Sequence, residues 1–263
     1  MADELWKKSA TDLAELIKTK QISSREVIES HLARIEAVND KVNAITVVLA
    51  DSALEAADTA DKTEPTGPLH GVPFTIKENI DCVGSATTQG VPLLAESMPT
   101  MDAPVVERMK KAGAIPLART NLPEFGLRID TENPLRGRTL NPWDAKRTAG
   151  GSSGGEAAAL ATGMSPIGLG NDIGGSVRNP AFCCGVTSLK PSAGRVPHAS
   201  SIPPEDAGLA AQIMAVEGPM ARHVKDVKLA YEVLSGRHPR DPVTVDVPLS
   251  GPEPANKKVA VVT

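Results

Sequence analysis

Residues 150–197 read GGSSGGEAAALATGMSPIGLGNDIGGSVRNPAFCCGVTSLKPSAGRVP, and this stretch decides the fold. Its alanine-rich part, GEAAALATG, predicts a helix closed by Gly163, and SPIGLG predicts a short strand after it. Serines stand among glycines at two places, in GGSSGG before the helix and in NDIGGSVRNP after the strand. The second place raises a chemical question, because Ser176 has the setting of a nucleophile but no histidine lies near it in sequence.

The region before this stretch alternates helix and strand. GVPFTIK predicts a buried strand that ends at Lys77, and PVVERMKKAGAIPLARTNL predicts a helix ended by Gly113 and then a second strand. Three helices precede them, at about 10–19, 24–38 and 52–60, and carry no evident chemistry. The alternation from about residue 70 onward favours an α/β sheet domain.

The glycine-rich segments match short nucleotide and hydrolase motifs poorly. GGSSGG lacks the Gly-Lys-Ser/Thr ending of a phosphate-binding P-loop, and Gly168 and Gly170 are followed by Ile173 where a dinucleotide fingerprint needs a third glycine. Residues 151–155 formally match the G-x-S-x-G elbow, but the preceding TLNPWDAKRTAG has the composition of a loop rather than of a strand. His198, His223 and His238 lie downstream of that match, yet lone histidines are weak evidence for a triad.

Serine chemistry without histidine can use a lysine, provided that the amine is neutral. Burial disfavours the charged ammonium and lowers the pKa of a lysine. Lys77 ends an apolar strand that would carry it into the interior, so it is a candidate base. Two alternatives stay open from the local sequence: Lys77 sits exposed at the end of the strand, or it pairs with Glu78 or Asp81.

Composition excludes several function classes. The 28 Lys and Arg are outnumbered by 32 Asp and Glu, no basic stripe occurs, and aromatic residues are only 2% of the chain, so nucleic-acid binding is not expected. No window approaches about 18 consecutive apolar residues, and the N-terminus lacks the pattern of a signal peptide. The three cysteines, Cys82, Cys183 and Cys184, have no CxxC spacing. We therefore expect reduced thiols in a cytoplasmic protein without a metal or cofactor.

Taken together, these segments resemble the amidase signature family. Residues 150–197 look like its defining glycine- and serine-rich region, and GPLHGVPFTIKENID looks like its lysine segment. The connecting blocks AGAIPLARTNLPEFG and TENPLRGRTLNPWD match in the same order. The resemblance extends from the N-terminal helices to the end of the chain, which makes it far more specific than any short motif.

The resemblance implies a Ser-cisSer-Lys triad. The nucleophile is then Ser176, the bridging serine is Ser152, and the base is Lys77. It also implies an oxyanion hole formed by backbone N–H groups, for which we expect those of Ile173, Gly174, Gly175 and Ser176. Asp172 and Arg178 are expected to be buried partners that hold the loop, with Ser153 as a structural hydroxyl. Asn171, Ser188 and Ser192 depart from the residues that the family often has.

The family fold implied is a mixed, twisted β-sheet core covered by helices on both faces. We expect a single domain over 1–263, with N-terminal helices at 1–62, a catalytic core at 68–200 and a loop at 237–257 before a new strand, KVAVVT. Family members are usually nearly twice as long. We therefore expect that this chain is the N-terminal part of the fold and that the missing half is a separate chain or absent.

The expected activity is hydrolysis of amide-type C–N bonds, in amides, aryl amides and also carbamates (urethanes), through an acyl- or carbamoyl-enzyme on Ser176. The expected partner is a small-molecule amide or carbamate, with the protein a monomer or homodimer. Two alternatives remain: the amide-releasing subunit of a tRNA-dependent amidotransferase, and a non-catalytic fragment or binding module. The sequence does not identify the substrate.

Overall fold

The computed structural model describes residues 2–202 and 208–251. Its helices are α1 (Ala10–Lys18), α2 (Ser24–Val42), α3 (Ala50–Ala60), α4 (Pro104–Lys111), α5 (Gly154–Ala161), α6 (Arg178–Cys184), α7 (Leu209–Met214) and α8 (Val224–Leu234). Its strands are β1 (Ile45–Val48), β2 (Pro73–Lys77), β3 (Ile115–Thr120), β4 (Glu132–Asn133), β5 (Gly137–Arg138), β6 (Ile167–Asp172), β7 (Thr187–Ser188) and β8 (Val216–Ala221). The strand expected in KVAVVT lies outside the described residues.

Within the described residues, six strands form one mixed sheet in the order β1-β3-β2-β6-β8-β7. The central strand β2 runs parallel to both of its neighbours, β3 and β6, while the remaining pairings are antiparallel. Because β2 and β6 are parallel, Lys77 at the end of β2 and Asp172 at the end of β6 lie at the same edge of the sheet. Ligands of α/β sheets commonly bind at this edge.

Apolar side chains cover both faces of the sheet. Side chains alternate along β2, so Phe74 and Ile76 point to the face opposite that of Thr75 and Lys77. Phe74 and Ile76 join a core with residues of α1, α4 and α8, whereas α2, α3, α5 and α6 contribute to a second core. The predicted mixed sheet with helices on both faces is therefore confirmed.

Helices α1 and α2 begin where the sequence predicts, and α3 begins at Ala50, two residues before its predicted start. At the start of α2, the Ser23 hydroxyl accepts from the Glu26 N–H at 3.0 Å, and the Glu26 carboxylate accepts from the Ser23 N–H at 2.7 Å. The helix runs to Val42, four residues beyond the predicted end. The buried Val42 continues the apolar stripe four positions beyond Val38, and the left-handed conformation of Asn43 at φ 50° then stops the helix.

Helix α5 packs closely on the sheet because glycine occupies its first turn. A Cβ atom added to Gly155 would lie 2.4 Å from the backbone nitrogen of Asn121 and 2.5 Å from its oxygen. The Gly155 N–H also donates to the Asn121 oxygen at 3.2 Å. This close approach positions the GGSSGG segment, which leads directly into α5.

We predict that Gly155→Ala destabilises the fold. Alanine favours a helix over glycine by about 1 kcal/mol. However, the new methyl group collides with backbone atoms of Asn121, and these atoms cannot move aside as the end of a flexible side chain could. The expected net loss in free energy of unfolding is about 2 kcal/mol, measured by urea denaturation. Gly208→Ala is the control, because no atom lies within 4 Å of its added Cβ. Equal stability of the two variants would contradict the packing argument.

Candidate active site

Lys77 lies in the interior, as its place at the end of an apolar strand predicts. Its side chain has 0% exposure, and its Nζ donates to Ser152 Oγ at 2.6 Å and to Asn171 Oδ1 at 2.7 Å. The two alternatives left open by the sequence do not occur. Glu78 is paired with Arg136 at 2.6 Å, and Asp81 accepts hydrogen bonds from Ser200 and Ser201. The amine is thus buried against uncharged oxygens.

The GGSSGG segment is held by side chains from two other parts of the chain. The Thr131 hydroxyl donates to the Gly150 oxygen at 2.9 Å and accepts from the Gly154 N–H at 3.0 Å. The Gly151 N–H donates to Asn179 Oδ1 at 3.0 Å. Between these anchors, the peptide bond joining Gly151 to Ser152 is cis, and Ser152 is 1% exposed.

Ser176 follows the turn after β6 and lies beside the GGSSGG segment. The Ser153 N–H donates to the backbone oxygen of Ser176 at 3.1 Å, so the residue after Ser152 is bonded directly to Ser176. Ser176 is largely buried, with 9% of its surface exposed. No hydrogen bond of its hydroxyl occurs within the described residues. The structure therefore brings Lys77, Ser152 and Ser176 to one edge of the sheet.

Asp172 organises the turn that carries Ser176. Its carboxylate accepts from the N–H groups of Gly175 at 2.8 Å and Val177 at 3.1 Å, and it pairs with Arg178 at 2.8 Å. Burial alone acts to raise the pKa of Asp172, but Arg178 and the two backbone donors outweigh it and lower the pKa to about 2. Asp172 is buried as expected. The expectation of a buried Arg178 is wrong, since its side chain is 55% exposed and reaches Asp172 from the surface.

The four N–H groups expected to form an oxyanion hole differ in their bonding. That of Gly175 already donates to Asp172. The N–H groups of Ile173, Gly174 and Ser176 have no acceptor among the described residues. Three of the four expected donors thus have no acceptor within the described residues, and the Asp172 carboxylate occupies the fourth.

Burial lowers the pKa of Lys77 to about 7. Glu217 opposes this most strongly, followed by Asp172 and Glu156, since nearby negative charge favours the ammonium. Two of these carboxylates are occupied by other partners: Glu217 bonds His198 Nδ1 at 2.7 Å, and Asp172 pairs with Arg178. A lysine with this pKa is partly neutral at neutral pH.

Sequence reasoning missed several polar residues around the site, of which Glu156 is buried and Asn171 and Asn79 are partly buried. The sequence marks Asn171 only as a departure from the family and gives no sign of Asn79, although the two amides are bonded to each other beside Lys77. Glu156 is predicted only to lie in a helix, yet its carboxyl accepts from the hydroxyls of Thr75 and Thr120. Burial raises the pKa of Glu156 to about 7. The sequence does contain one indication of this role, because Glu156 is the only charged residue in the otherwise apolar helix GEAAALATG.

Residues 2–202 and 208–251 contain no group of three or more His, Cys, Asp or Glu side chains arranged to hold a metal ion. Cys82 and Cys184 are buried, Cys183 is partly buried, and all three are free thiols. In the same part of the chain, every helix is too short or too polar to cross a membrane.

The sequence matches the family profile described as Amidase over residues 26–263. The chain belongs to the amidase signature family. An indoleacetamide hydrolase of Bradyrhizobium diazoefficiens is 50% identical over 254 residues, which cover 95% of this chain and 48% of that protein. A bacterial aryl acylamidase structure of the same family superposes with a TM-score of 0.85 at 37% identity, covering 92% of this chain and 50% of the other.

A further relative is a component of the glutamyl-tRNA(Gln) amidotransferase of Sulfurihydrogenibium sp. It is 40% identical over 252 residues, which cover 94% of this chain and 50% of that protein. This chain therefore spans about half the length of the curated relatives it matches.

We predict that Asp172→Asn destabilises the protein in a pH-dependent way. The native pKa of about 2 lies below the ordinary value, so ionised Asp172 contributes stability above about pH 4 that is lost as the pH falls toward 2. The variant should unfold about 2–3 kcal/mol more easily at pH 7, measured by urea denaturation, and the difference should shrink at pH 3. A difference that is the same at both pH values would contradict the assignment.

Proposed function

We propose that this protein hydrolyses the C–N bond of amides, with Ser176 as the nucleophile and with Ser152 and Lys77 as its proton relay. The observation that carries the proposal is the buried amine of Lys77, 2.6 Å from Ser152 Oγ. Ser152 is followed by Ser153, whose backbone N–H donates to the backbone oxygen of Ser176. Membership of the amidase signature family supports the same reaction.

In the first half of the reaction, Ser176 Oγ attacks the carbonyl carbon of the amide. Its proton passes to Ser152, and the Ser152 proton passes to the neutral amine of Lys77. The tetrahedral intermediate then collapses, the C–N bond breaks, and Lys77 returns a proton through Ser152 to the leaving nitrogen. The products of this half are an amine, or ammonia from a primary amide, and an acyl group on Ser176.

In the second half, water attacks the acyl group and loses its proton through the same relay. Ser176 leaves with the proton that Lys77 returns, and the carboxylic acid is released. The same groups thus act first as a base and then as an acid in each half. A neutral lysine with a pKa near 7 suits both roles at neutral pH.

The negative charge on the tetrahedral oxygen needs donors that are already in place. The N–H groups of Ile173, Gly174 and Ser176 are the proposed donors, because the Gly175 N–H is used by Asp172. Asp172, with Arg178 and the backbone of Ser153, holds the turn in which these donors lie. This is a smaller oxyanion hole than the sequence led us to expect.

The substrates we propose are small amides, and the relatives indicate which to try first. The 50% identical relative is an indoleacetamide hydrolase, so primary arylacetamides are the first substrates to test in a series of amides. Anilides follow from the aryl acylamidase neighbour, and carbamates would give a carbamoyl-enzyme on Ser176 by the same steps. The free thiols favour a reducing compartment, and we place the protein in the cytoplasm.

A second candidate function is supported by the 40% identity to the glutamyl-tRNA(Gln) amidotransferase component. In that role the chain would release ammonia from the side-chain amide of glutamine, with the same relay, for use by a partner protein. L-Glutamine therefore belongs in the substrate series. Rapid hydrolysis of arylacetamides or anilides by the isolated protein, without glutaminase activity, would decide against it.

We predict that the relay residues are individually essential in the intact protein. Ser176→Ala should abolish turnover and labelling by a fluorophosphonate probe, because no oxygen nucleophile remains. Lys77→Met should lower kcat on the best substrate of the series by about 10²–10⁴-fold, the usual contribution of a general base. Steady-state kinetics and mass spectrometry of the labelled protein provide the measurements.

Two matched variants are the controls. Lys110→Met removes a lysine that pairs with Asp102 at 2.7 Å near the surface, away from the relay. Ser153→Ala removes the hydroxyl next to Ser152 but keeps the backbone N–H that bonds Ser176. Each should retain kcat within a few-fold. Full activity of Lys77→Met at neutral pH, or a loss in the controls equal to that in Ser176→Ala, would refute the assignment.

We also predict the direction of the pH profile. Lys77 must be neutral to accept a proton, and its pKa is lowered to about 7. Activity should therefore rise about tenfold per pH unit below that value and level off above it. The measurement is kcat/KM of the wild type from pH 5 to 9 on a neutral amide. An ascending limb centred near pH 10 would mean that Lys77 is an ordinary solvated lysine.

A further inference from the structure

Asn171 contacts the proposed base directly. Its Oδ1 accepts from Lys77 Nζ at 2.7 Å, nearly as close as the 2.6 Å contact of the same amine with Ser152 Oγ. Asn171 is the penultimate residue of β6, and Lys77 is the last residue of the parallel neighbour β2. The contact therefore follows from the alignment of the two strand ends and needs no flexible loop.

The orientation of this amide is fixed by a second amide. Asn171 Nδ2 donates to Asn79 Oδ1 at 3.0 Å, and Asn79 Nδ2 approaches Asn171 Oδ1 at 3.4 Å. If Asn171 rotated by 180°, its NH₂ group would face Lys77 and would compete with Ser152 for the lone pair of the neutral amine. Asn79 thus keeps the oxygen of Asn171, rather than its nitrogen, toward Lys77.

An oxygen at this place directs the chemistry of the amine. Neutral lysine has two N–H groups and one lone pair. When one N–H is donated to Asn171, the lone pair is free to take the proton of Ser152. After the transfer, the ammonium donates to both oxygens, so neither partner has to move. An amide oxygen accepts from the amine in both protonation states and, because it carries no full charge, favours the ammonium less than a carboxylate would.

We propose that Asn171 is a positioning residue for Lys77, that Asn79 fixes its orientation, and that an uncharged acceptor is required at this position for Lys77 to act as a base. This inference rests on the proposed function of the Ser176–Ser152–Lys77 relay. It assigns a role to two side chains that touch neither the nucleophile nor the expected oxyanion donors.

The charges that face Lys77 come from three elements. Glu217 lies on β8, Asp172 at the end of β6, and Glu156 on α5, and each favours the ammonium form. None of the three forms a hydrogen bond with the Lys77 amine. Both oxygens of Asp172 and of Glu156 bond other groups, as does Glu217 Oε1, whereas Glu217 Oε2 is buried without a hydrogen-bond partner among the described residues. The group that the amine contacts on the β6 side is the amide of Asn171. A carboxylate there would add a charge at 2.7 Å instead of a neutral dipole.

Two isosteric variants separate charge from hydrogen bonding. Asn171→Asp keeps the acceptor and adds a negative charge, so the ascending limb of the pH profile of kcat should move up by at least about one pH unit, with recovery at high pH. Asn171→Leu removes the acceptor, so kcat should fall about ten- to a hundredfold at every pH. In both variants KM should change less than threefold, because Asn171 is not expected to contact the substrate.

Asn79→Asp and Asn39→Asp are the matched controls. Asn79→Asp retains the oxygen that accepts from Asn171 Nδ2 but places the charge one side chain farther from Lys77. The ascending limb of its pH profile should therefore move up by less than that of Asn171→Asp. Asn39→Asp adds the same charge near the end of α2, where Oδ1 accepts from the N–H groups of Ala44 and Ile45, and should leave the profile unchanged. Thermal unfolding of each variant checks that it is folded.

The titration of Lys77 itself provides a readout that does not need turnover. In the intact protein labelled with ¹³C at lysine Cε, the Lys77 resonance, assigned with Lys77→Met, should titrate at least one pH unit higher in Asn171→Asp than in the wild type. An unchanged titration would overturn the inference even if the wild type is inactive on every amide. Conversely, an active wild type whose Asn171 variants keep the same kcat and pH profile would overturn the inference and leave the proposed function standing.

Discussion

The burial of one amine is the constraint on which the rest of the site depends. An ammonium ion in the interior is costly unless it is paired, and Lys77 has only uncharged oxygens within hydrogen-bonding distance. Burial therefore favours the neutral amine. Carboxylates at longer range favour the ammonium and keep the pKa of Lys77 from falling further. A buried amine balanced in this way can take up and release a proton near neutral pH.

The sheet topology brings the participating groups together. Lys77 and Asn171 meet because β2 and β6 are parallel neighbours and end at the same edge. The segment that carries Ser152 reaches that edge because glycines let α5 approach the sheet backbone. Ser176 follows β6 in a turn organised by Asp172, whose carboxylate accepts from Gly175 and Val177. Backbone hydrogen bonding, more than side-chain packing, thus fixes the positions of the two serines.

The amides beside Lys77 show how a polar network can be specific without charge. Asn79 and Asn171 satisfy each other and present a single oxygen to the amine. A partly buried network of this kind is favourable when each group has a partner, and a satisfied network has one preferred arrangement. The exposed Arg178 plays a different part, since it stabilises Asp172 from the surface.

The sequence by itself determined the alternation of helix and strand, made Lys77 a candidate for an interior position and, through resemblance, indicated which residues to compare with a known family. These features follow from local patterns: apolar strands bounded by glycine, a capping box at Ser23, and motifs in a fixed order. Only the tertiary structure decided that Gly175 donates to Asp172, that Arg178 is exposed and that Asn171 and Asn79 are hydrogen-bonded to each other beside Lys77. The Asn79–Asn171 contact joins residues 92 positions apart, and even the contacts of Asp172 with Gly175 and Arg178, three and six residues away, depend on distances and angles that no local pattern encodes.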